Sequence, residues 1–186
     1  IAALSDITLS IAAGETVGII GPNGAGKSTL ANHLNGVLLP SAGSVAIDGL
    51  TVDKKSLETI RKKVGVVFQN PDDMLFMPRV IDDVLFGPLN LGMEEHAAHH
   101  AAEDALKELG LSDLADRPPF TLSQGQKRFA AIAAVLVMSP SMVVLDEPTS
   151  DLDPRNRRKL ISLLNYMTMT RIIVSHDLDF VWDTCS

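Results

Sequence analysis

The chain is expected to fold as an α/β protein, a parallel sheet carrying a helical insertion. Short apolar runs bounded by turn residues read as buried strands, and segments of helical periodicity alternate with them. A glycine-rich loop, "GPNGAGKST", joins an early strand to a helix, and a long helical stretch separates the third apolar run from the last two. Buried strands alternating with helices favour parallel pairing, because helical crossovers cover both faces of the sheet.

In order along the chain, "ITLSI" (Ile7 to Ile11) alternates like a strand, "AAGE" turns, and "TVGII" (Thr16 to Ile20) reads as a fully buried strand. The glycine-rich loop follows, then a helix to about Asn35. "SVAIDG" (Ser44 to Gly49) and "KVGVVF" (Lys63 to Phe68) are further strands, the second ending at Gln69. Residues from about Pro71 to Met138 change to a mainly helical pattern. There, Glu94 to Leu109 places Ala97, Ala98, Ala101, Ala105, Leu106 and Leu109 on one side. "MVVLDEP" (Met142 to Pro148) and "RIIVSH" (Arg171 to His176) restore the strand pattern, with a helix near Arg155 to Met167 between them. A single domain over 1–186 is expected, with residues 1–70 and 139–186 as its core and 71–138 as a helical subdomain.

At 186 residues the chain holds one ordinary domain. A formal net charge of −7 argues against general nucleic-acid binding, which needs a basic face, yet permits a phosphate held by one local loop. Cys185, the single cysteine, supports neither a disulfide framework nor a cysteine-based zinc site and fits a reducing compartment. The longest apolar run, Phe129 to Met138, is far shorter than the ~20 residues that span a bilayer. No basic-then-apolar leader opens the chain, so it is expected to be neither secreted nor membrane-spanning, and its start at Ile1 suggests that residues precede it.

"GPNGAGKST" fits G-x-x-x-x-G-K-[ST] and sits between a buried strand and a helix, where that motif works. Gly21, Pro22, Asn23, Gly24, Ala25 and Gly26 form the loop whose backbone N–H groups wrap phosphates, with Thr29 closing the motif. Lys27 reaches the β and γ oxygens and Ser28 ligates Mg²⁺. In "MVVLDEPTSDLD", Asp146 ends a strand at the carboxyl edge of the sheet and is the expected Mg²⁺ partner. Glu147 beside it is placed to orient or deprotonate an attacking water. His176 and Gln69 end other strands. His176 could contact the transferring phosphoryl group, and the Gln69 amide could reach the metal or the water; a structural role is the other reading of both.

A second anion cradle stands in "FTLSQGQKRFAAIAAVLVM", where Ser123 and Gly125 open a long helix. Taken in order, "GPNGAGKST", "FQNPDD", "LSQGQKR", "VVLDEPTSDLDP" and "SHD" resemble the ATP-binding subunit of ABC transporters over essentially the whole chain. The resemblance implies a P-loop NTPase (RecA-like) core with an N-terminal antiparallel β subdomain and an inserted helical subdomain. It implies ATP and Mg²⁺ as ligands and two subunits paired head to tail. Ser123, Gly125 and Gln126 of one chain would then face the γ-phosphate held by the other chain's loop, and Asp153 would couple the two sites. Gln124 and Asp151 depart from the family pattern, where Gly and a small residue are usual. The family's adenine-stacking aromatic lies upstream, whereas no Tyr, Trp or Phe precedes Lys27 here, and a further hairpin follows the family's "SHD" region. Both points imply a fragment of a longer protein.

"VVFQNPDDMLF" and "FGPLNLG" are similar to ATPases of the energy-coupling-factor type, which drive uptake of cobalt, nickel or vitamins in prokaryotes. This implies a subunit on the cytoplasmic face of the membrane, working with a transmembrane coupling subunit and a substrate-binding membrane subunit. Met74, Phe76 and Met77 would either form an adaptable apolar groove for that partner or pack the helical subdomain. His96, His100 and Glu103, with His99 nearby, have a spacing that suits a transition metal, and equally describe a solvated helix face. A soluble ATPase acting on nucleic acid or ribosomes is the alternative function, disfavoured by the "FQNPDD" block. The retained Lys27, Asp146, Glu147 and His176 argue against a non-hydrolysing regulatory subunit, and no N-K-x-D guanine motif appears.

Overall fold

The computed structural model describes residues 3–185. Strand β1 (Thr16–Ile19) leads through the glycine-rich loop into α1 (Lys27–Leu34). A short antiparallel hairpin follows, β2 (Ala46–Ile47) and β3 (Leu50–Thr51), then α2 (Leu57–Lys63) running directly into β4 (Val64–Val67). The helical subdomain holds α3 (Val80–Asn90), α4 (Glu95–Glu108) and α5 (Gln124–Leu136), with two 3₁₀ turns between α4 and α5. The chain then returns through β5 (Met142–Asp146), α6 (Pro154–Tyr166), β6 (Thr170–Val174) and α7 (Leu178–Cys185).

The main sheet has the order β1-β6-β5-β4, and every pairing in it is parallel. Successive residues of β5 serve opposite faces, as a pleated strand requires. Val143 and Leu145 join the larger core, with Val84, Leu106, Phe129, Leu160 and Phe180. Val144 joins the smaller one, with Ala31, Ile60, Val64, Val66 and Ile172. Apolar residues at every position are therefore needed, which explains the unbroken run in "MVVL". Close approach sets one position in β4: a Cβ on Gly65 would stand 2.3 Å from Val135 Cγ1, so glycine lets α5 lie against the sheet.

Three helix starts are fixed by side-chain caps. Glu94 caps α4, Asp153 caps α6, and Ser123 with Gln126 forms a reciprocal capping box on α5.

Several sequence expectations need correction. Ile7 to Ile11 is not a strand: no partner strand flanks it among the described residues, and Ile7 and Leu9 are exposed. Thr16 to Ile20 is not fully buried; β1 is an edge strand with one neighbour, its residues are half-buried, and Ile20 lies beyond it in solvent. The buried stripe of α4 is Ala98, Ala102 and Leu106, so Ala102 belongs to it and Ala97, which is exposed, does not. His176 and Gln69 each stand two residues past their strands, in the loops at the sheet's edge. The antiparallel part of the described chain is confined to the β2–β3 hairpin.

Candidate functional site

Because the four strands run parallel, the loops that leave them all emerge on one edge of the sheet, and this is where the candidate residues collect. The loop after β1 turns through left-handed glycines at Gly24 and Gly26, the latter standing at the N-cap of α1. Lys27 Nζ donates to the carbonyls of Gly21 at 2.9 Å and Pro22 at 3.2 Å, so the loop closes around its own lysine. Thr29 lines a neighbouring cavity of about 800 Å³ between the N-terminal segment and residues 39–45.

From β5 come Asp146 and Glu147, only 7% and 5% exposed. Glu147 adopts φ 45°, a left-handed conformation that non-glycine residues enter at a cost. Its N–H donates to Val174 O at 2.8 Å, and Ser175 N–H donates to Ile19 O at 3.1 Å, carrying the ladder past the strand ends and tying the three loops together. Glu147 Oε2 accepts from the Ser175 hydroxyl and the His176 N–H, each at 3.3 Å, and lies 2.8 Å from His176 Nδ1. Glu147 Oε1 is 4.0 Å from Lys27 Nζ. The structure thus gathers Lys27, Glu147 and His176 around one carboxylate.

Asp146 is held differently. Burial pushes its carboxyl above the ordinary aspartate range, while the Ser28 hydroxyl and more distant charges partly adjust it. Among the described residues its Oδ1 is buried without a hydrogen-bond partner, which is the condition of an atom prepared for a cation. A hard oxygen donor pair, Ser28 and Asp146, suits Mg²⁺.

Gln69 leaves β4 with its side chain exposed, and its main chain is gripped from α5. Arg128, 2% exposed, donates from Nη1 to Phe68 O at 2.9 Å and from Nη2 to Gln69 O at 2.6 Å. No sequence motif assigns a role to Arg128 or Asp83. A second basic residue after Lys127, directly ahead of the apolar run Phe129 to Met138, is the available signal for the first; nothing local marks the second. Asp83, 3% exposed, accepts from the N–H groups of Phe76 and Met77, both at 2.9 Å.

Among the described residues no hydrogen bond or ion pair joins Ser123, Gly125 or Gln126 to Lys27, Asp146, Glu147 or His176. Ser123 and Gln126 cap each other, and Gly125 is buried beneath them against Asn156. Asp153 caps α6 through the N–H groups of Arg155 and Asn156 and also takes the Asn156 amide at 2.7 Å. His96 and His100 meet edge to face on exposed α4, and no group of three or more metal-ligating side chains gathers among the described residues.

The sequence matches the ABC transporter family over residues 4–150. It is 51% identical over 184 residues to the energy-coupling factor transporter ATP-binding protein EcfA of Methanosphaera stadtmanae, covering 96% of this chain and 66% of that protein. Among solved structures, cbiO1 of Clostridium perfringens, part of the ABC transporter complex cbiONQ, superposes with a TM-score of 0.86 at 41% identity, over 98% of this chain and 75% of that one. A dimeric ATP-binding cassette bound to ADP and Pi superposes at 0.90 and 30% identity, over 98% and 83%. The fold and these likenesses agree: the chain belongs to the ABC transporter family and has the fold of its ATPase cassette.

Proposed function

We propose that this chain binds ATP with Mg²⁺ on the Gly21–Thr29 loop and hydrolyses it in a head-to-tail pair, powering uptake through a membrane complex of the energy-coupling-factor type. The observation that carries the reading is the Glu147 carboxylate, buried between Lys27 and His176 at the edge of the parallel sheet. Lys27 binds the terminal phosphates, Glu147 orients the attacking water and receives its proton, and His176 steadies Glu147 and faces the transferring group. When bound, Mg²⁺ supplies charge neutralisation at the phosphates, with Ser28, Asp146 and Gln69 as its holders. Ser123, Gly125 and Gln126 serve the nucleotide of the second subunit, and Asp153 lies between the sites. The likenesses to a dimeric cassette and to EcfA support this arrangement.

The membrane partner docks beside the 70–77 segment. Phe76 is 61% exposed and packs edge to face on Phe86, with Leu89 and Met93 also exposed on the same subdomain. Met74 does not join this surface: its sulfur accepts from Phe68 N–H at 3.3 Å and it packs into the core. No helix among the described residues is long and apolar enough to cross a membrane. From the likeness to the energy-coupling-factor proteins, this chain works at the cytoplasmic face of the membrane with separate membrane subunits. A metal ion or vitamin is the proposed cargo, from the likeness to the energy-coupling-factor proteins.

Solution mass of Glu147→Gln with and without ATP and Mg²⁺ tests the pairing. A nucleotide-dependent dimer is expected. A variant that binds ATP and stays monomeric at all concentrations would overturn the head-to-tail reading.

A further inference from the structure

Arg128 is a fully buried guanidinium that pairs with no carboxylate among the described residues. Taking such a charge out of water is costly, and filling the space with an aliphatic side chain would avoid that cost. Two of its nitrogens hold the carbonyls of Phe68 and Gln69, and Nε has no partner. Those carbonyls lie beyond Val67, the last residue of β4 that pairs with β5, so the sheet's ladder does not reach them. The adjacent Lys127 grips the same segment from outside, its Nζ 2.6 Å from Asp72 Oδ1. One turn of α5, shortly after Ser123, therefore holds the main chain at Phe68 and Gln69 and, a few residues on, the side chain of Asp72. The Gln69 side chain is exposed, so its position depends on that main chain.

We propose that Arg128 is a positioning residue for hydrolysis: it braces the main chain at Gln69 against the helix that begins at Ser123. The half-site offered to the second subunit and the metal side of the chain's own site then move as one body. A planar fork that reaches two carbonyls at once is what arginine provides and lysine does not. This rests on the roles proposed above for Gln69 and Ser123.

The test compares Arg128→Met, Arg128→Lys, Gln69→Ala and the Arg128→Met/Gln69→Ala double variant in the full chain. It reads kcat, nucleotide Kd, and amide hydrogen exchange over residues 68–72 without nucleotide. Arg128→Met should lower kcat by ~10- to 100-fold while Kd stays within a few-fold, as losing a residue that orients a ligand does. Exchange over 68–72 should rise, Arg128→Lys should restore part of kcat, and the double variant should be no slower than the slower single one. Should Arg128→Met fail to fold, Arg128→Lys carries the same cycle with Gln69→Ala, because it keeps the charge and loses one carbonyl contact. Multiplicative effects in the double variant, or unchanged exchange over 68–72, would overturn the brace alone. A wild-type chain that binds nucleotide and never hydrolyses it would overturn the proposed function, and the brace with it.

Discussion

Gly125 lies directly against Asn156: a Cβ built on the glycine would stand 2.7 Å from the Asn156 amide nitrogen. That nitrogen is committed to Asp153 Oδ2 at 2.7 Å, so the first turn of α5 and the cap of α6 are fitted to each other inside one chain. The glycine here serves internal packing whatever it also offers a nucleotide.

Gly125→Ala should therefore displace Asn156 from Asp153 and destabilise the chain by about 1–3 kcal/mol, the usual cost of overpacking. The shift in urea midpoint, measured without nucleotide, checks this. An unchanged midpoint would mean that Asn156 swings aside freely.

Asp83 orders the Phe76–Met77 segment by accepting two main-chain N–H bonds. Asp83→Ala leaves both donors without their acceptor and should cost about 1–3 kcal/mol. Hydrogen exchange at Phe76 and Met77 should quicken before the rest of the subdomain, and capture of the membrane partner should weaken. Exchange that rises uniformly would show that Asp83 supports the fold at large.

For Asp146 the pH dependence has a definite sign. Burial holds its folded-state pKa above 3.8, so the folded chain binds this proton more tightly than the unfolded chain does. The stability it contributes is complete below 3.8 and is lost as pH rises through the folded-state pKa. Asp146→Asn removes that loss: without ligand near neutral pH it should be more stable than wild type, with the advantage shrinking towards pH ~4. Hydrolysis should nonetheless collapse. Urea midpoints at the two pH values, beside an ATPase assay, separate these effects.

Gln124 stands at the first turn of α5 with its side chain exposed, touching no part of the core. Gln124→Gly should change stability by less than about 1 kcal/mol. It should leave ATP-dependent pairing of a Glu147→Gln background intact or tighter, since it removes bulk. Weaker pairing would show that the Gln124 amide itself contributes to closure.

Where the candidate residues collect was legible in the sequence because the turns that place them are local. A glycine loop between strand and helix, or two acids after "VVL", already states where the chain must turn. Ser123 was equally legible as a helix start, and the capping box with Gln126 bears that out. What escaped were contacts made across the fold: Arg128 to Phe68 and Gln69, Asp83 to Phe76 and Met77, Gly125 to Asn156. Each is decided by which segments the sheet and helices bring together, which no spacing within one element encodes. Ile7 to Ile11 failed for the converse reason, since alternation describes a strand's faces but cannot supply its neighbour.

The two-faced packing of β5 has a consequence for how errors in this protein behave. Val143 and Leu145 enter one core and Val144 the other, while Asp146, the last residue of the strand, and Glu147 just past it lead into the site. A slip of one residue would exchange those apolar side chains between layers shaped for others and bring a carboxylate into a core. The same slip would carry Glu147 away from Lys27 and His176. Misalignment at this strand is therefore self-eliminating: a chain that loses the reaction this way also loses its fold, and no well-folded but inert population accumulates to occupy partners.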